Sequence, residues 1–387
     1  EQWVDQLGDP THPRGGLTTL VPGSKGADAF RTIKRWTRAG RGRVEPVIFK
    51  SLNGSTLRGH VFAPPARVKR PKAGFPGVVI TDGSVQGFEE LYFWAAEDLA
   101  EAGYVVMTYD VQGQGDSDLA GADCPGECSG IPYQQDWNFY QGAEDSLNAF
   151  LSRRNPYIDL VDRKRVGIAG HSLGAAAVSH VGQCDRRVDA IVAWDGLRAI
   201  ENCDGITIPE KHRARRLLQT PALGTANDYL FNVQPTPRQP DPQAKADGYQ
   251  QLKAAGTDSA SIVLRGATHL EYTYVPLVLP ASQKGERFAS YYTRAWFDRY
   301  LKGDPTAYRR LVAKRYDSSV DGSSIGTGEY DEVAAASNPG DRYAGNVPHE
   351  IAGLRVADTV SFYYASQYSL TDIAGRRRTC ADVRAGC

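Results

Sequence analysis

The 387-residue sequence contains a single methionine, Met107, and no excess charge of either sign: 45 Lys and Arg stand against 45 Asp and Glu. Balanced charge removes the general pull toward nucleic acid or an anionic membrane, so neither is expected as a partner. No run approaches the ~18 consecutive apolar residues of a membrane-crossing helix, so no transmembrane segment is expected. Internal repeats and low-complexity tracts are lacking too, which sets aside solenoids and Pro- or Gly-rich linkers. What is present is 41% hydrophobic and 10% aromatic residues, enough to bury a core and to argue against global disorder. The sequence starts at Glu1 rather than Met, which is the form expected of a chain that has lost an export signal.

The six cysteines, Cys124, Cys128, Cys184, Cys203, Cys380 and Cys387, fall into three sequence-local pairs. An even number in local pairs suits disulfides formed in an oxidising compartment, with neighbour pairing the simplest arrangement among fifteen. Zinc is the rival reading for Cys124-Pro-Gly-Glu-Cys128, but no second pair or nearby histidine completes a ligand set. The expectations are therefore three disulfides, a secreted protein, and no metal or cofactor.

Along the chain, residues 1–43 are polar and form an N-terminal extension. Residues 44–63 read as a hairpin around Asn53-Gly54, a two-residue turn signal. From Gly77 the pattern alternates. Strands are expected at Gly77–Thr81, Tyr104–Tyr109, Arg165–Ala169, Val188–Trp194, Pro221–Thr225 and Ser261–Arg265. Helices are expected at Phe88–Ala102, Asp136–Arg153, Leu173–Gly182, Ala244–Ala255 and Glu286–Leu301, with Lys211–Leu218 as one short basic helix. Such alternation predicts an α/β protein whose mostly parallel sheet is covered by helices on both faces. The catalytic domain is expected over 44–304. Residues 305–387 lose the alternation and read as an irregular C-terminal appendage packed on it, with one strand-like run at Thr359–Tyr364.

Gly170-His171-Ser172-Leu173-Gly174 matches G-x-S-x-G. The pattern is common, and its meaning depends on a strand before it and a helix after it. Arg165–Ala169 supplies the strand and Leu173–Val178 the helix. Glycines are needed because the serine sits on a sharp, strained turn, where flanking side chains would meet neighbouring backbone. An incidental serine in a Gly-rich junction is the bland alternative. The satisfied context favours Ser172 as a nucleophile.

With these residues the sequence resembles the α/β-hydrolase-fold serine hydrolases. Gly103-Tyr104 through Asp110, followed by Gly113-Gln114-Gly115-Asp116-Ser117, is similar to a strand and Gly-rich loop of that family. Ala295–Gly303 resembles the closing helix of secreted bacterial esterases and dienelactone-hydrolase-like members. The resemblance spans roughly residues 45–303 and implies the chain order nucleophile, acid, histidine. Of seven histidines, His12 and His60 come too early, His171 is the variable position of the motif, and His180 lies within the following helix. His212 precedes the last strands, and His349 lies in the appendage. His269, in the loop after Ser261–Arg265, is the expected base.

For the acid the resemblance offers two positions. Asp228 in Thr225-Ala226-Asn227-Asp228 is where most of the family carries it, and the Asn-Asp pair is similar to cutinase-like polyester hydrolases. Asp195 in Trp194-Asp195-Gly196 is the alternative, used by a minority such as the platelet-activating-factor acetylhydrolases. Asp228 is the first expectation. The resemblance also implies an oxyanion hole from the N–H groups of Ser84 and Leu173, with Gly83 letting the loop turn inward. Position 84 lacks the aromatic residue that polyester hydrolases tend to carry.

The implied activity is hydrolysis of small-molecule or polymeric carboxylic esters through an acyl-enzyme. A serine peptidase of the prolyl-oligopeptidase type uses the same triad, but this chain is too short for the propeller. A non-catalytic hydrolase-fold binding module is the third reading. A dienelactone hydrolase proper usually bears Cys at the nucleophile position, which here is Ser172. The 24 residues from Gly196 to Gln219 are too few for a large lid, so an open site is expected. Its walls are expected from 118–135, braced by a Cys124–Cys128 bridge, and from 195–219 and 229–243. Oligomeric state is not legible.

Overall fold

The apolar runs become the centre of one ten-stranded sheet in the computed structural model, which describes residues 33–84, 87–118, 135–228, 241–265, 267, 269–273, 283–315 and 355–387. The strands are β1 (Arg43–Lys50), β2 (Thr56–Ala63), β3 (Phe75–Thr81), β4 (Val105–Tyr109), β5 (Val161–His171), β6 (Ala190–Trp194), β7 (Ala222–Asn227), β8 (Ser259–Leu264), β9 (Gln367–Thr371) and β10 (Arg377–Cys380). Their spatial order is β1-β2-β4-β3-β5-β6-β7-β8-β9-β10. The six strands from β4 to β8 are parallel. Both flanks are antiparallel, with the β1–β2 hairpin on one side and β9–β10 on the other.

The helices among the described residues are α1 (Ile33–Arg38), α2 (Phe93–Glu101), α3 (Asp136–Phe150), α4 (Leu173–Cys184), α5 (Asp247–Ala254), α6 (Gln283–Lys302), α7 (Ala307–Leu311) and α8 (Val356–Thr359). Successive strand residues point to opposite faces, and the core divides accordingly. Val78, Ile80, Val192 and Trp194 join one cluster with Trp94 and Leu99 of α2 and Trp296 of α6. Val79, Ile168 and Ile191 join the other with Phe139 and Leu147 of α3 and Val178 of α4. Because helices cover both faces, β3 and β6 are buried at every residue, which is why they read as unbroken apolar runs rather than alternating ones.

Several elements differ from the sequence reading. The hairpin turn is a longer loop: Lys50 pairs with Thr56, and Ser51 N–H bonds Ser55 C=O. Asn53 is buried, its amide on Gln112 at 2.8 Å, so that asparagine serves a long-range contact as well as the turn. The basic helix expected at Lys211–Leu218 shrinks to a single 3-10 turn at Glu210–His212. The largest departure is at the C-terminus. Residues 359–364 are not a strand, and the strands instead lie at 367–371 and 377–380, where they extend the main sheet through β8. Ser361 N–H bonds Val263 C=O at 2.8 Å, and Ser366 Oγ accepts from Val263 N–H at 3.0 Å. The segment read as an appendage thus supplies two strands of the same sheet. Its strands are short and mostly polar, Gln-Tyr-Ser-Leu-Thr and Arg-Arg-Thr-Cys, and carry little of the apolar signal that marks a buried strand.

Candidate active site

The C-terminal ends of parallel strands are where open α/β sheets place their chemistry, and four loops meet there. β5 runs directly into α4 through Ser172, whose backbone is at φ 57°, ψ −119°. Positive φ in a non-glycine residue costs about 1–3 kcal/mol and persists only where surroundings enforce it. Here the enforcement is visible. Ser172 N–H bonds Trp194 C=O of β6 at 3.1 Å, and its own carbonyl accepts the first helical bond from Ala176 at 3.2 Å. At Gly174 a Cβ would stand 2.2 Å from the carbonyl oxygen of Asp82 and 2.6 Å from that of Thr81. The glycine of the motif is therefore demanded by the close passage of α4 beneath the exit of β3.

His269 opens a 3-10 turn, His269–Tyr272, after β8. Its Nε2 lies 2.8 Å from Ser172 Oγ. Its Nδ1 is hydrogen-bonded to Asp195 Oδ2. Asp195 follows β6, at φ 58°, with its N–H on Thr225 C=O at 2.8 Å. Burial alone would raise this carboxyl, yet the hydrogen bond from His269 and the nearby positive charges hold it below its ordinary range.

Of the two positions expected for the acid, the one hydrogen-bonded to His269 is the alternative, Asp195. The reason lies in register. Trp194 pairs with His171 on one side and with Thr225 on the other. Asp195 therefore emerges one strand from Ser172 and at its level. Asp228 emerges from the next strand over, three residues beyond Thr225, and is buried there.

The loop after β3 passes beside Ser172, and a Cβ added at Gly83 would lie 3.2 Å from Ser172 Cβ. Ser84 follows it, half-buried. Leu173 is the first residue of α4, where N–H groups have no intrahelical acceptor and the helix dipole favours negative charge. Ser84 and Leu173 therefore both lie in segments adjacent to Ser172.

Two residues at the site were not recognised from sequence. His171 is fully buried beside His269, with ring centroids 4.6 Å apart. Its Nε2 lies 2.8 Å from the His269 carbonyl oxygen and its Nδ1 2.8 Å from Tyr92 Oη. Burial, reinforced by the neighbouring His269, pushes its pKa down to about 3. Tyr92 Oη also accepts the Gly83 N–H at 3.0 Å, and the Tyr92 ring stacks on Trp194. Tyr92 carries no motif, and only tertiary packing reveals it. Of the remaining described histidines, His60 bonds Glu89, His180 stacks on Tyr140, and His212 lies in the outlying 3-10 turn.

Cys184–Cys203 and Cys380–Cys387 are disulfide-bonded. The former ties the end of α4 to the segment 195–219. Cys124 and Cys128 lie outside the described residues, as do most of 118–135 and 229–243. Among the described residues no helix is long and apolar enough to cross a membrane.

No family model matches the chain. Two curated fungal proteins do. A protein named alpha/beta hydrolase psoB, from Aspergillus fumigatus, is 26% identical over 179 residues, 46% of this chain and 37% of its own length. A protein named thiohydrolase apmlB, from Arthrinium phaeospermum, is 32% identical over 152 residues, 39% of this chain and 43% of its own length. These likenesses support an alpha/beta hydrolase. The chain spans less than half the length of either relative. The large mixed sheet, parallel at its centre and flanked by helices, fits that reading.

Proposed function

We propose that the protein is a secreted serine hydrolase that cleaves carboxylic esters through an acyl-enzyme. Ser172 is the nucleophile, His269 the base, and Asp195 the carboxylate that orients it. The observation that carries this reading is the His269 ring, held between Asp195 at Nδ1 and Ser172 Oγ at Nε2, the latter 2.8 Å away. The Nδ1–H donates to the carboxylate, which leaves the Nε2 lone pair for the serine proton. Attack of Oγ on the ester carbonyl moves that proton to Nε2, and the imidazolium that forms is stabilised by Asp195. The N–H groups of Leu173 and Ser84 receive the oxyanion. Collapse expels the alcohol, which takes the proton from Nε2. Water, activated by the same nitrogen, then releases the acid. The two disulfides are compatible with an oxidising destination.

Thioester cleavage is the second reading, favoured by the likeness to a protein named a thiohydrolase. The same machinery serves both, since only the leaving atom differs.

The experiment pairs native protein with Ser172→Ala on nitrophenyl acyl esters and on acyl thioesters, with fluorophosphonate labelling as an independent readout. The native protein should label and hydrolyse, and the variant should do neither. Full esterase activity in Ser172→Ala, or no labelling of the native protein, would sink the proposal. Relative kcat/KM on the two substrate classes separates the readings.

A further inference from the structure

The hydrogen bonds around His171 have only one consistent polarity. The His269 carbonyl can only accept, so His171 Nε2 carries the proton that bonds it at 2.8 Å. A buried imidazole whose pKa is pushed down to about 3 is neutral at working pH, so its Nδ1 is a bare acceptor. Tyr92 Oη, 2.8 Å away, must then donate to Nδ1. The lone pairs of that oxygen are left for the Gly83 N–H at 3.0 Å. The chain runs Gly83 N–H to Tyr92 O–H to His171 Nδ1, and His171 Nε2–H to the His269 carbonyl. One end is the loop that brings Ser84 to the nucleophile, and the other is the backbone of the base.

The pair is fixed from outside the chain as well. The Tyr92 ring lies parallel to that of Trp194, 4° between planes. Trp194 is the residue whose carbonyl holds Ser172 N–H, and its own indole N–H bonds Thr293 of α6 at 2.9 Å. Tyr92 and His171 are both buried. His171 packs against the His269 ring, but neither residue is a member of the hydrogen-bond path Ser172 Oγ–His269–Asp195, so neither is spent in the chemistry proposed above.

We propose that Tyr92 and His171 are positioning residues that hold the oxyanion loop and the catalytic base in one rigid register, through hydrogen bonds of fixed direction. The proposal rests on the Ser172–His269–Asp195 reading. Its physical basis is that displacement of catalytic groups by about 1 Å can lower the rate on the order of 100-fold without altering ground-state binding. A neutral residue in the variable position of the motif that both accepts and donates is then a requirement of this protein rather than a free choice.

The test compares Tyr92→Phe, His171→Leu and His171→Gln on a nitrophenyl ester. Tyr92→Phe keeps the ring on Trp194 and removes only the bridging hydroxyl. It should lower kcat ~10- to 100-fold with KM changed less than about threefold. His171→Leu should lose as much. Glutamine carries one acceptor and one donor and should recover most of the kcat that leucine loses. Fluorophosphonate should still label Ser172 in all three, only more slowly, which separates this proposal from the nucleophile assignment: unlabelled native protein defeats the latter. A Tyr92→Phe protein with native kcat overturns the proposal, whatever its melting temperature. So does equal activity of the Leu and Gln variants, or an effect confined to KM.

Discussion

Ser172 and Asp195 leave the sheet at the same level, because the residues before them, His171 and Trp194, are partners in the β5–β6 ladder. Both adopt positive φ, 57° and 58°. Among the described non-glycine residues only Leu218 shares that conformation. Adjacent parallel strands thus each end in a strained turn that aims one side chain at the same imidazole.

The acid role proposed for Asp195 rests on that relationship. Asp195→Asn should lower kcat about 10³–10⁴-fold while preserving the fold, since an amide cannot stabilise the imidazolium. Asp228→Asn should leave kcat within about threefold. Steady-state kinetics of the two single variants check this, and the reverse ranking would restore Asp228 as the acid.

Gly174→Ala tests the close passage of α4 under β3. The new methyl would meet the backbone oxygens of Asp82 and Thr81, neither of which is a flexible side-chain end. The expected result is a loss of about 1–3 kcal/mol in urea denaturation, with kcat reduced because the Gly83–Ser84 loop is pushed off the nucleophile. A variant with native stability and native kcat would show that the loop yields freely.

Acid sensitivity should trace in part to His171. Its folded pKa, near 3, lies below the unfolded value of 6.5. Between these values the unfolded chain holds one more proton, so stability is fully present above about pH 6.5 and falls as pH drops toward 3. The slope from this one group is about 1.4 kcal/mol per pH unit. Urea midpoints between pH 7 and pH 4 should fall more steeply for the native protein than for His171→Gln. Parallel curves would remove His171 as a cause.

The Cys184–Cys203 bridge closes a loop of sequence separation 19. Loss of that constraint on the unfolded chain is worth about 3 kcal/mol. The double variant Cys184→Ala, Cys203→Ala should therefore unfold at distinctly lower urea. A shift below about 0.5 kcal/mol would mean that packing already holds the segment 195–219.

What the sequence could say depended on how local the signal was. Strands buried on both faces, such as Gly77–Thr81 and Ala190–Trp194, announce themselves because nearly every residue is apolar. The G-x-S-x-G turn is equally local, since its glycines answer to atoms within a few residues and one neighbouring strand. β9 and β10 were not legible, because short flanking strands with polar faces have no such requirement.

Sequence alone determined the parallel α/β core, the strand–turn–helix that carries Ser172 and the loop that carries His269, since each is written in contiguous residues. Only the tertiary structure decided between Asp195 and Asp228 as the partner of His269. Both stand at strand ends in permitted chain order, and which one reaches the ring depends on strand register, a property of paired strands that neither strand records by itself. The same holds for Tyr92, 80 positions before Ser172, whose hydroxyl meets His171 only once the segment preceding α2 packs on the sheet face that carries Trp194.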